Sequence, residues 1–189
     1  MKRLAGLFLV GMAGLALTGF SGRALAATEC NTKGGPQNGA TPLSGTLVGG
    51  VVVNAGDICF LSGANISGGV RVNEGGELYV CASTINGGVV AEGANELIFG
   101  AEELNCGGDV INGAVQISNT GSGTLPVSVA LERSTINGRV QLSGNRGPIA
   151  VASNTIAGAL LCKNNAGDLL DEASPNTITG GVTCKFAVE

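Results

Sequence analysis

The chain has 189 residues, a net charge of −4 and neither histidine nor tryptophan. Without histidine, Ser-His and Cys-His nucleophile systems and the common His-containing zinc sites are excluded. The acidic balance excludes the basic face that nucleic acid or an anionic membrane surface requires.

The first 26 residues read as an export signal. Lys2 and Arg3 form a positive start, Leu4 to Leu17 is apolar, and Ala24-Leu25-Ala26 is a small-x-small cleavage site. The apolar run is too short and Gly-rich to span a bilayer, so cleavage after Ala26 and a secreted or periplasmic location are expected, with no membrane insertion afterwards. The remaining chain carries seven basic against fourteen acidic residues, a net charge of −7, and all six cysteines. An even cysteine count in an exported chain points to disulfides. Residues 27–45 are rich in Gly, Pro, Asn and Thr without periodicity, and read as an N-terminal arm or cap.

From residue 46 to 189 one sentence recurs: Ile-x-Gly-x-Val-x-apolar. Its instances start at Leu47, Ile66, Ile85, Ile111, Ile136, Ile156 and Ile178, at intervals of 19, 19, 26, 25, 20 and 22 residues. The third place is always glycine: Gly49, Gly68, Gly87, Gly113, Gly138, Gly158 and Gly180. A period near twenty with internal alternation means stacked β coils. The expected fold is therefore all-β, a single-domain parallel β-solenoid of about six coils, each 19–26 residues long. A β-sandwich of short strands is the competing fold, but its strands need not keep a glycine at one place.

Within a coil, alternation puts Ile66, Val70 and Val72 on one face. A second apolar pair follows: Leu78/Val80, Leu97/Phe99, Val127/Val129 and Ile149/Val151. A third short segment, such as Arg133-Ser134-Thr135-Ile136, leads into the next isoleucine, which gives two or three strands per coil joined by Gly/Asn corners. Stacking is what buries each coil's apolar face. The glycines fit a bend that tolerates no Cβ, and stacked Asn86, Asn112 and Asn137 can form an amide ladder. Longer coils carry excursions at 101–108 and 119–123, and Asp168 to Ala173 reads as a helical turn. At the C-terminus, either Phe186 and Val188 fold over the last coil or another subunit covers its open edge.

Repeat positions pair the cysteines. Cys162 and Cys184 share the seventh place in consecutive coils, and Cys81 and Cys106 share a corner. Cys30 and Cys59 remain, tying the arm to the first coil. Disulfides 30–59, 81–106 and 162–184 are expected, with packed free thiols as the alternative for Cys162 and Cys184. No Cys-x-x-Cys occurs, so no metal site is read, and no cofactor.

Two surfaces carry polar groups in register. Asp57, Glu77 and Glu96 recur in successive coils beside Glu74, Glu92, Glu102 and Glu103. Such a line offers calcium ligands or an acid/base pair, but a solvated acidic corner is the plainer reading. An outward file beside each isoleucine includes Thr84, Asn86, Thr135, Asn137, Thr155, Thr177 and Thr179. It looks like the Thr-x-Thr arrays of ice-binding solenoids, although Thr and Asn are also ordinary outward residues. Polysaccharide is the third candidate partner, with few aromatics for stacking.

The repeat, with Ser-Thr-Ile-Asn-Gly at 83–87 and 134–138, resembles small secreted bacterial β-helix proteins over residues 45–184. It is more loosely similar to bactofilins, a resemblance that implies coils polymerising end to end. Bactofilins are cytoplasmic and lack disulfides, and the signal and cysteines depart from that pattern. The expected role is a secreted, non-enzymatic structural solenoid assembling through its ends; the alternative is a module binding ice or polysaccharide on the Thr/Asn face.

Overall fold

A computed structural model describes residues 26–101, 104, 106–121, 126–171 and 174–187. Residues 1–25 of the signal segment 1–26, with Glu102, Glu103 and Val188, lie outside the described residues. The chain winds as a parallel β-solenoid of about seven turns, and strands are numbered here in chain order.

Three faces alternate along the chain. The first is a seven-stranded parallel sheet: β1 (Thr28–Glu29), β3 (Val51–Val53), β5 (Val70–Val72), β8 (Val89–Glu92), β11 (Val115–Ser118), β14 (Val140–Ser143) and β17 (Leu160–Lys163). The second stacks the first half of β4 (Ile58–Ile66) with β6 (Glu77–Cys81), β9 (Glu96–Phe99), β12 (Val129–Glu132), β15 (Ile149–Ala152) and β18 (Leu169–Leu170). The third stacks the end of β4 with β7 (Thr84–Ile85), β10 (Val110–Ile111), β13 (Thr135–Ile136), β16 (Thr155–Ile156) and β19 (Thr177–Ile178). Strand β4 runs unbroken through the corner between the second and third faces, pairing with β6 and then with β7.

The repeat fixes the register. Val51, Val70, Val89, Val115, Val140 and Leu160 form one column, which a single bridge extends to Val182. Leu47, Ile66, Ile85, Ile111, Ile136, Ile156 and Ile178 form a second. Except for the end residues Leu47, Ile178 and Val182, both columns are buried. Burying each such side chain is worth roughly 1.5–3 kcal/mol, so the stacked columns hold the coils together. At Gly113 an added Cβ would lie 2.5 Å from Gly88 N, and Gly87, Gly138, Gly158 and Gly180 each approach the neighbouring backbone within 2.7 Å. The glycine place is thus a backbone-on-backbone contact.

A smaller cluster sits outside the second face, where Tyr79, Ile98, Ala130 and Ala150 are buried beneath Leu104 and Val127. This corrects two expectations. The inward pair of the fourth coil is Val129 and Leu131, in register with Leu97 and Phe99; Val127 belongs to the outer cluster. Leu169–Leu170 is a strand paired with Ile149–Ala150, because the ladder offers it a row of backbone partners where a helical turn was expected.

The N-terminal segment also joins the stack. Strand β1 pairs with β3, and β2 (Leu43–Leu47) pairs with β4, so these residues complete a composite first turn. At the other end, Phe186 packs against the core and Ala187 N–H donates to Leu169 O at 2.8 Å. The tail therefore covers the end of the second face.

Candidate functional site

Three disulfides join Cys30 to Cys59, Cys81 to Cys106 and Cys162 to Cys184, with Cα separations of 5.3, 4.8 and 4.7 Å. These are the pairs that the repeat positions bring together. One staples the composite first turn, one the 101–108 excursion and one the last coil. An oxidising location, extracellular or periplasmic, suits them. Among the described residues no group of His, Cys, Asp and Glu could hold a metal ion, and no helix is long and apolar enough to cross a membrane.

The acidic line is solvated only in part: Glu74 and Glu92 are exposed, Asp57 and Glu77 are half-buried and Glu96 is buried. Glu77 and Glu96 are in register on β6 and β9, and Glu96 is 0 % exposed. The Tyr79 hydroxyl, also buried, donates to Glu96 Oε1 at 2.8 Å and accepts from Gln37 Nε2 at 3.1 Å. Burial and the neighbouring Glu96 carboxylate push the Glu77 carboxyl above its ordinary range. Burial likewise raises the Tyr79 hydroxyl. The N-terminal segment closes over this cluster: a Cβ on Gly35 would lie 2.8 Å from the Tyr79 ring. Its chemistry is that of a hydrogen-bonded network fastening the first turn to the second face.

The outward Thr/Asn file lies on the third face. Thr84, Val110, Thr135, Thr155 and Thr177 are aligned strand to strand. The amide ladder beside them is longer than expected: Asn86 donates to Asn65 at 3.0 Å, Asn112 to Asn86 at 3.0 Å and Asn137 to Asn112 at 2.8 Å. Each internal amide is therefore engaged along the stack. Thr179 donates through its hydroxyl to Ala157 O at 2.6 Å.

Two further ladders escaped the sequence reading because they sit inside corners. In one, Asn145 Oδ1 accepts from the Thr120 N–H and hydroxyl, while Asn145 Nδ2 donates to Asn165 Oδ1 at 3.0 Å. In the other, Asn154 Oδ1 accepts from Ser134 N–H at 3.0 Å, and its Nδ2 donates to Leu131 O at 2.7 Å and to Asn176 Oδ1 at 2.9 Å. Asp109 occupies the same corner two coils below Asn154. Its Oδ1 accepts from Ser83 N–H at 2.8 Å, but Oδ2 is buried without a hydrogen bond. Burial raises the Asp109 carboxyl to about 7, against the opposing pull of the Ser83 and Gly100 N–H groups. The sequence signal was present in Asp109, Asn154 and Asn176, each lying directly before the two-residue strand that ends in the repeat isoleucine.

No family model matches this chain, and neither the curated proteins nor the solved structures provide a match.

Proposed function

We propose that this protein is a secreted, non-enzymatic structural rod whose copies join head to tail. The single observation that carries this reading is the register of the terminal coils. At one end Thr177-Ile178-Thr179-Gly180-Gly181-Val182 repeats the sentence that every inner coil stacks upon, and Val182 is 48 % exposed. At the other end Thr46 and Leu47 lie in the columns of Asn65 and Ile66. A second copy adding Ile178 below Leu47 would extend those columns in parallel register. Such a contact uses different surfaces on each partner, so it propagates rather than closing as a dimer. Because Phe186 covers the second face, the joining edge is confined to the third face and the first sheet.

Light scattering of residues 27–189 against concentration, with negative-stain imaging, tests this. Linear growth supports it; a monomer at every concentration rejects it. The alignment of the threonines on the third face supports a second reading, binding to ice through that face. Thermal hysteresis lost on Thr135→Lys is its assay.

A further inference from the structure

A polar groove runs along the corner between the first and second faces, with a volume of about 560 Å³. Four residues connect β5 to β6, whereas ten connect β11 to β12, and Asn119 and Gly121 at the start of the longer connection line the groove beside the shorter corners. The groove crosses four coils, about 14 Å at the spacing of parallel strands.

Its lining has a distinctive sign pattern. Arg71 stands near one end and Arg146 near the other. Between them lie Glu74 and Glu92 from adjacent coils, with the amides of Asn95 and Asn119. Arg71, Glu74, Glu92 and Arg146 are all exposed. Arg71 Nε donates to Asn73 Oδ1 at 3.4 Å, which leaves its terminal nitrogens toward solvent. The floor is glycine backbone already committed to the stack: Gly75 N–H donates to Gly93 O at 2.8 Å and Gly93 N–H to Ser118 O at 2.9 Å. Recognition therefore falls to the side chains.

That pattern discriminates among ligands. A polyanion would meet Arg71 and Arg146 but would also bring its charge against Glu74 and Glu92. A polycation would face the reverse problem. A neutral polyol has no such conflict, because each hydroxyl donates to a carboxylate and accepts from a guanidinium or amide. Among the described residues no aromatic side chain lines the groove, so an apolar or stacking ligand gains little there. We propose that this groove binds an uncharged oligosaccharide through charge-assisted hydrogen bonds. The site is separate from the joining edges and from the Thr/Asn face, so its occupancy does not depend on either reading of function.

The test is NMR titration of isotope-labelled residues 27–189 with cellohexaose, maltohexaose and chitohexaose, and with hexagalacturonate as the anionic comparator. At least one neutral hexamer should shift the backbone amides of Gly75, Gly93 and Gly121 with a Kd in the millimolar range, as suits a solvent-exposed polar groove. Glu74→Gln with Glu92→Gln, and separately Arg71→Ala with Arg146→Ala, should each weaken binding roughly tenfold. Arg139→Ala, outside the groove, should leave it unchanged. All variants sit on exposed side chains, and unchanged spectra away from the groove verify their folding. No shift at about 10 mM of any neutral hexamer, shifts centred elsewhere, or preference for hexagalacturonate would overturn the proposal.

Discussion

Replacing Asp109 by asparagine should stabilise this protein, and the gain should depend on pH. Asp109 is 1 % exposed, one oxygen is satisfied by Ser83 N–H and the other has no partner. Two coils above, Asn154 directs its Nδ2 at Leu131 O, in the coil beneath its own. Leu131 shares a column with Phe99 and Val80. By the same geometry an amide nitrogen at position 109 should reach the Val80 carbonyl, which also accepts from Gly100 N–H at 3.1 Å. An unsatisfied buried group costs about 1–3 kcal/mol, more when charged. The rise of the carboxyl from 3.8 to about 7 gives an independent value, about 4 kcal/mol between its two protonation states. Relaxation of the buried corner brings the expected penalty into the lower range.

The pH dependence follows from which state holds the proton more tightly. The carboxyl titrates higher in the folded chain than in the unfolded one, so folding takes up a proton between those values. Below about pH 4 both states are protonated and Asp109 carries no charge penalty. Stability then falls as pH rises through the folded value near 7, and above it the penalty is complete. Arg133 donates to Gly100 O and Cys106 O nearby. Glu77 titrates with the same sign, but it is common to both proteins and cancels in their difference. Urea unfolding followed by circular dichroism, with disulfides intact, should place Asp109→Asn about 1–3 kcal/mol above the parent at pH 8 and level with it at pH 4. A variant that is less stable at pH 8, or a difference that does not move with pH, would refute the reasoning.

The remaining predictions concern the stack itself. Gly113→Ala should cost about 2–4 kcal/mol, because its Cβ meets backbone at 2.5 Å, whereas Gly181→Ala, with nothing within 4 Å, should be near neutral by thermal melting. Asn154→Ala should cost about 2–3 kcal/mol, since it leaves the Ser134 N–H and the Leu131 carbonyl without their partner; Asn112→Ala, on the exposed ladder, should cost about 1 kcal/mol or less. Equal losses in urea titrations would contradict that contrast. Replacing Cys30 and Cys59 together by serine should lower stability by about 2–5 kcal/mol and raise hydrogen exchange first in residues 28–33, which only the composite turn holds.

The sequence spoke most clearly where one physical constraint repeats. The glycine column, the Val and Ile columns and the cysteine pairs were all readable because each follows from alternation within a coil and superposition between coils. Reading failed where a residue answers to a contact outside the repeat. Val127 looks like part of an inward pair, but the ten-residue connection before β12 shifts the register by two and sends it to the outer cluster. Glu96 looks like a soluble surface acid, yet Tyr79 and the N-terminal segment cover it. Leu169–Leu170 lacks a strand's length, and only the ladder beside it makes it one. Non-glycine residues at positive φ were equally hidden: Ala82, Arg133 and Ser153, at 47°, 46° and 56°, turn equivalent corners directly before Ser83, Ser134 and Asn154. There the Ser and Asn hydrogen bonds, rather than glycine, hold the left-handed turn.

The buried corner ladders also bear on how strongly copies would join. The inner columns are nearly uniform, Ile upon Ile and Val upon Val, so apolar packing alone distinguishes poorly between one coil and the next. Polar groups inside the corners break that uniformity: Ser83, Asp109, Ser134, Asn154 and Asn176 each accept or donate across one coil spacing. This ladder does not continue through the first turn, where Ala64 and then Gly45 occupy the column next to Ser83. A head-to-tail junction would set Asn176 of one copy toward Gly45 of the next, with no buried amide pair and no disulfide spanning it. Such a junction keeps the apolar and backbone contacts of the third face and the first sheet, and it loses those of the second face, which Phe186 covers, together with the polar pairs of the corner. Assembly should accordingly be reversible, with rods that shorten on dilution at constant pH while single copies stay folded. Gly45→Asn adds a side chain at an exposed, left-handed site (φ 79°) that asparagine tolerates. It should lengthen the rods at equal concentration by offering Asn176 an amide partner; unchanged length by dynamic light scattering would mean that the joined ends do not meet in this register.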